Sequence, residues 1–221
     1  MFKTLSFKLM SVLSIVALLS ACAQPVKRPD YTAFKKSQPR SILVLPPINE
    51  TSDVAATYGV LSQMTLPLAE SGYYVVPVAV MDETFKQNGL TNAAEIQGTS
   101  PAKLREIFGA DAALYSKVSQ YGTVYRILAS ATVVSASAKL VDLRTGDVLW
   151  QGRASASSDE GGNNGGGGLI GMLVVAAVKQ IANTLMDQSH DVAAFTSSRL
   201  LSAGPPSGLL YGPHSPKYGT D

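Results

Sequence analysis

The chain has 221 residues, 18 basic and 16 acidic, with two histidines and one cysteine. That length suits one domain with tails. Charge is nearly balanced, with no basic stripe to suggest a nucleic-acid binder and no acidic tail to suggest a solvating arm. Cys22 stands alone, so no disulfide within the chain can form and stability must come from an ordinary core.

The amino terminus reads as a signal peptide over residues 1–21. Lys3 and Lys8 form a positive region, Leu9 to Leu19 an apolar one, and Ser20-Ala21 a small-residue cleavage site before Cys22. The apolar run is shorter than the roughly 20 residues a membrane-spanning helix needs. Leu19-Ser20-Ala21-Cys22 resembles a bacterial lipobox, which makes Cys22 the expected lipidation site. Ala23, rather than an aspartate, then points to an outer-membrane, periplasm-facing address, with surface exposure left open. Removing Lys3 and Lys8 leaves 16 basic and 16 acidic residues, a formally neutral mature chain. Two or more acyl chains would hold it on a membrane, because each buried methylene contributes about 0.8 kcal/mol.

Residues 22–39 carry Pro25, Pro29 and Pro39 among Lys27, Arg28, Lys35 and Lys36, and read as a lipidated tether. A domain is expected over 40–190. Its first strand is Ile42-Leu43-Val44-Leu45, closed by Pro46-Pro47. A helix over Ala55 to Ser71 follows, with Tyr58, Leu61, Met64 and Leu68 at helical spacing, and Pro67 is expected to kink or divide it. Tyr73 to Val78 reads as the second strand and Val80 to Gln87 as a short helix. Ser100-Pro101 is a strong helix start, with the helix running to Phe108 and stopping at Gly109.

Beyond this point the pattern turns to β. Ala112 to Tyr121 and Arg126 to Val141 read as strands joined by a turn at Gly122. Asp142 to Asp147 then makes a tight hairpin into Val148 to Gly152. Residues 155–168 read as a glycine-rich mobile loop, and Leu169 to Ser189 as a helix on the sheet. The segment 191–221, with Pro205, Pro206, Pro213 and Pro216, reads as a tail that either folds back on the domain or docks a partner. The order predicts an α/β fold, a single domain built on a small mixed sheet with helices packed on one side.

Three phrases carry a resemblance: Ile42 to Pro47, Phe108-Gly109-Ala110-Asp111-Ala112, and Leu140 to Trp150. Together they resemble lipoproteins with a domain similar to the amino-terminal domain of TolB, a set that includes CsgG and LpoB. More closely, Gly72 to Pro77, Glu95 to Tyr125 and Tyr211-Gly212-Pro213 resemble a neisserial-type outer-membrane lipoprotein family. The resemblance implies a non-catalytic accessory or scaffold in an envelope transport, secretion or surface-assembly complex. Its implied partners are other envelope lipoproteins of CsgG type, or further copies of the chain. The alternative is an activator of a peptidoglycan synthase, as LpoB is. The chain has no pair of long amphipathic membrane hairpins, which departs from a CsgG-type pore.

Chemistry is sparse. His190 and His214 sit in no catalytic or metal-ligand pattern, so no catalytic residue, metal or cofactor is expected. Gly161 to Gly168 lacks the Gly-Lys-Ser/Thr ending of a phosphate loop. Asp159, Glu160, Asn163 and Asn164 lack the ordered spacing of a calcium loop. Tyr115, Tyr121 and Tyr125 fall on one face of an unbroken strand, either a solvent face of good strand formers or a partner patch. Tyr211, in the tail, is a further candidate for partner contact.

Overall fold

The computed structural model describes residues 29–125, 130–160 and 188–221. Cys22, most of the glycine-rich loop and nearly all of the helix expected over Leu169 to Ser189 lie outside these residues. Within them the order is α1 (Thr32–Ser37), β1 (Ser41–Val44), β2 (Ile48–Asn49), α2 (Ala56–Glu70), β3 (Tyr74–Val75), α3 (Val78–Gln87), α4 (Ala93–Gln97), α5 (Pro101–Phe108), β4 (Ala112–Tyr125), β5 (Ser130–Asp142), β6 (Val148–Ser157) and α6 (Gln188–Leu201).

The strands form one mixed sheet in the order β3-β1-β4-β5-β6, with β2 also pairing β4. β3, β1, β2 and β4 run parallel, whereas β4, β5 and β6 are antiparallel. Pro46 and Pro47 interrupt the strand that β1 and β2 would otherwise make along β4, since proline cannot supply the ladder donor.

The two halves are covered differently. From β1 the chain steps outward to β3 through α2, then returns across β1 to β4 through α3, α4 and α5. Right-handed crossovers taken in opposite directions place their helices on opposite faces. The parallel half is therefore sandwiched, and Ile42, Leu43 and Leu45 are fully buried. One side alone was expected to be covered. The antiparallel half meets that expectation, with α6 lying on it: Thr196 Oγ1 donates to the Val134 carbonyl at 3.1 Å. On the same face Ser116 Oγ lies 3.8 Å from Met64 Sδ of α2.

Several elements depart from their expected bounds. α2 passes Pro67 undivided and ends one turn later, with Pro67 buried. The proline removes only one donor near the helix end, and its burial offsets that loss. Gly122 is no turn: it pairs Val133 inside a hairpin that continues to Tyr125 and Ser130. β6 reaches Ser157, taking in residues assigned to the loop, and residues 191–201 complete α6 rather than starting a tail. The helix at Pro101–Phe108 is as read. Ser100 caps it by accepting from the Lys103 amide, and Gly109 ends it in the left-handed region at φ 65°.

Candidate anchoring pole and partner surfaces

The starts of β1, β3 and β4 and the β5–β6 turn all lie at one end of the sheet, as the pairs Ser41↔Tyr74, Ile42↔Ala112 and Ala112↔Asp142 require. Residues 31–39, read as tether, are folded onto this end. α1 buries Phe34 at 3% exposure, and Ser37 Oγ donates to Asp142 Oδ2 at 2.6 Å. Arg144 closes the clamp, its Nη2 donating to the Ser37 carbonyl at 2.6 Å and to Asp142 Oδ2 at 2.9 Å. Burial alone would raise the Asp142 pKa. The hydrogen bonds from Arg144, from Ser37 and from the Arg144 and Thr145 amides outweigh it and hold the carboxyl down at about 2.

The carboxy-terminal segment completes this pole. The carbonyls of Ser207, Gly208 and Leu210 accept from Trp150 Nε1 at 3.0 Å, Tyr31 Oη at 2.6 Å and Tyr73 Oη at 2.5 Å. Three aromatic donors from three distant parts of the chain thus hang one strap, and Leu209 between them is fully buried. Further on, the Gly212 amide donates to Ser71 O at 2.8 Å and the His214 amide to Gly72 O at 3.0 Å. Gly72, at φ 96°, has no room for a side chain, because Gly212 and Ser215 press against it. Burial, with Asp221 and Tyr218 nearby, pushes the Tyr73 phenol well above its ordinary pKa. Of the two outcomes left open for the tail, docking on its own domain is the one observed. Tyr211 belongs to this strap, half-buried, with its amide donating to Asp221 Oδ2 at 2.6 Å and Lys217 Nζ 5.5 Å from its ring centroid.

The other three tyrosines do not share a face. β4 carries a bulge between Val118 and Gln120, so Ser119 is an extra residue and the alternation of side chains reverses there. Tyr115 lies on the face away from α2 and α6, 9% exposed, with Lys139 Nζ 5.3 Å from its ring centroid. Tyr121 lies on the helix face, also 9% exposed, its hydroxyl packed over Gly59 of α2. Tyr125 is 87% exposed. It stands where the hairpin runs beyond every other strand, for β1 and β2 reach β4 only as far as Val118, and β6 reaches β5 only as far as Val133. From Ala112 to Tyr125 the strand covers about 43 Å. The hairpin end and the pole at Ala112 are thus opposite extremes of the domain.

Catalytic chemistry finds no convergent setting among the described residues. His190 Nε2 lies 2.6 Å from Gln63 Nε2 on an exposed helix face, and His214 is exposed in the strap. No group of three or more His, Cys, Asp or Glu among them could hold a metal. Asp159 meets Ser157, and Glu160 pairs with Arg199 at 2.5 Å, while Asn163 and Asn164 lie outside the described residues. No helix among the described residues is long and apolar enough to cross a membrane. Sequence reasoning missed both the folded α1 and the split of the tyrosines. Phe34 inside the tether was the available hint of the first; the bulge has no signal in the residues around it.

Comparison with known proteins agrees with this architecture. A family model described as "Putative lipoprotein GNA1162-like" matches residues 29–214. A relative from Neisseria meningitidis serogroup B, "Putative lipoprotein NMB1124/NMB1162", is 55% identical over 203 residues, covering 91% of this chain and 93% of that one. The crystal structure of lipoprotein GNA1162 from Neisseria meningitidis aligns with a TM-score of 0.53 and 58% identity, over 66% of this chain and 100% of that one. The LpoB carboxy-terminal domain from Salmonella enterica aligns at a TM-score of 0.38 and 22% identity, over 52% of this chain and 81% of that one. That last overlap is too loose to carry a functional argument.

Proposed function

Because this chain belongs to the GNA1162-like lipoprotein family, we propose that it is a non-catalytic envelope component, held by lipid at Cys22 on the periplasmic side of the outer membrane. Its role is that of an accessory or scaffold in a transport, secretion or surface-assembly complex, where tethering raises the local concentration of a binding domain beside its partners. The supporting observation is the two-ended shape. Pro29 is seven residues from Cys22, a distance that spans at most about 25 Å even fully extended. The pole at α1 and the strap therefore stays near the lipid, while Val124 and Tyr125 project from the far end, about 43 Å away along β4. An exposed tyrosine at the tip of a ribbon suits contact with another protein. The short link disfavours the alternative of a synthase activator, whose task requires reach across the wall.

Two measurements test this reading. Radioactive palmitate should label the wild-type chain and not Cys22→Ser; an unlabelled wild type ends the anchor. A photo-crosslinking residue in place of Tyr125 should capture a discrete envelope partner that the same residue in place of Tyr58, on α2, does not. Identical adducts from both positions would remove the tip from the account.

A further inference from the structure

The antiparallel half of the sheet is open on the side away from α2 and α6, and its residues are not a random polar set. Lys117, Ser137 and Arg153 stand side by side on β4, β5 and β6, and Tyr115, Lys139 and Gln151 form the next row on the same face. All six are exposed except Tyr115, whose ring supports the Lys139 ammonium. Adjacent strands lie about 4.8 Å apart and alternate residues about 7 Å apart, so three cations occupy a flat area roughly 10 Å across. Among the described residues one carboxylate answers them: Glu50, 2.8 Å from Lys117 Nζ. In a mature chain with 16 basic and 16 acidic residues, this face holds a local excess of positive charge.

We propose that this open face rests on the anionic phospholipid headgroups of the membrane that holds the anchor. The assignment rests on the lipid-anchor reading above and extends it from a point of attachment to a docked orientation. Two facts select a lipid surface as the occupant. The first is reach: Tyr115 is about 10 Å and Lys117 about 17 Å up the sheet from the pole at Ala112, both within the span of about 25 Å allowed by the seven-residue link. The second is charge: a planar array of cations complements a planar array of phosphates, whereas the same array on a second copy would repel it. Docked in this way the sheet lies along the membrane, and the hairpin end with Tyr125 reaches sideways over its surface.

The test uses the lipidated full chain in vesicles of phosphatidylethanolamine with either phosphatidylglycerol or phosphatidylcholine. A nitroxide is placed at Ser137→Cys, in the centre of the array, or at the exposed Ser62→Cys on α2, and its collision with a water-soluble nickel chelate is measured. Phosphatidylglycerol should shield the Ser137 label and leave the Ser62 label open. Each net positive charge near an anionic surface multiplies the docked population about fivefold, so with Glu50 offsetting one of the three cations the shift should be roughly twenty-five-fold. High salt, or the triple change Lys117→Glu, Lys139→Glu and Arg153→Glu, should abolish the shielding. A Ser137 label as open as the Ser62 label, shielding equal in both lipids, or shielding that grows with protein density would each overturn the assignment. A chain that fails to float with the vesicles and takes up label at Cys22 overturns the anchor itself, and this inference with it.

Discussion

Tyr73 and Leu210, 137 residues apart, meet in a hydrogen bond of 2.5 Å from the phenol to the backbone carbonyl. Tyr73 is 4% exposed and comes from the turn before β3, so the bond fastens the strap to the opening of the sheet's edge strand.

Tyr73→Phe keeps the ring and removes the donor, leaving the Leu210 carbonyl short of a partner. A loss of about 1–2 kcal/mol is expected, read as a lower urea midpoint at unchanged slope. An unchanged midpoint would mean that water replaces the phenol without cost. The parallel change Tyr31→Phe, at the Gly208 carbonyl, should cost less because Tyr31 is only half-buried.

Asp142 supplies a pH signature. Its folded pKa, about 2, lies below its ordinary value of 3.8, so the carboxylate favours folding above pH 4 and that contribution disappears as pH falls through 2. A shift of this size corresponds to about 2 kcal/mol. Asp142→Asn should therefore be less stable than wild type at pH 6 by roughly that amount, with the gap narrowing towards pH 2. A gap independent of pH would show that shape, not charge, holds α1 to the β5–β6 turn.

Gly59 offers a reversal of sign. Replacing a helical glycine with alanine usually stabilises, by about 0.5–1 kcal/mol. Here the new Cβ would run into the Tyr121 hydroxyl and come within 2.9 Å of its ring carbon Cζ. Gly59→Ala should destabilise by about 1–3 kcal/mol, and Tyr121→Ala in the same chain should make the alanine favourable again. Additive effects of the two changes would deny the contact.

Tyr125→Ala should leave the melting temperature within about 1 °C of wild type, since the side chain is 87% exposed. Recovery of envelope partners in affinity capture should nevertheless fall. Tyr115→Ala should do the reverse, lowering stability by about 1–3 kcal/mol through the cavity it leaves beneath Lys139.

Local chemistry was legible and distant contact was not. Ser100-Pro101 and Asp142 to Asp147 announce themselves because each carries its own hydrogen bonds: the serine caps its helix, and Asp142 Oδ1 accepts from the Arg144 amide at 2.6 Å. α1 is six residues long and could not persist alone. It exists because Phe34 enters a core made by later segments and Tyr31 meets Gly208, so prolines and lysines made it read as tether. The common face expected for the three tyrosines is absent for a smaller reason. One inserted residue at Ser119 reverses a period of two, and nothing about a serine in a strand distinguishes a bulge from a plain pair. The tail was ambiguous because its anchors, Leu209 and Leu210, find their pocket only where residues 31, 73 and 150 have already converged.

The strap held by Trp150, Tyr31 and Tyr73 also dictates an order of assembly. A chain made from its amino end presents these three aromatics long before residues 207–210 emerge to satisfy them. Closure of the domain is then deferred to the last stretch of polypeptide. Until that stretch arrives, Trp150, Tyr31 and Tyr73 lack the carbonyls that receive them, and Leu209 has yet to enter the core.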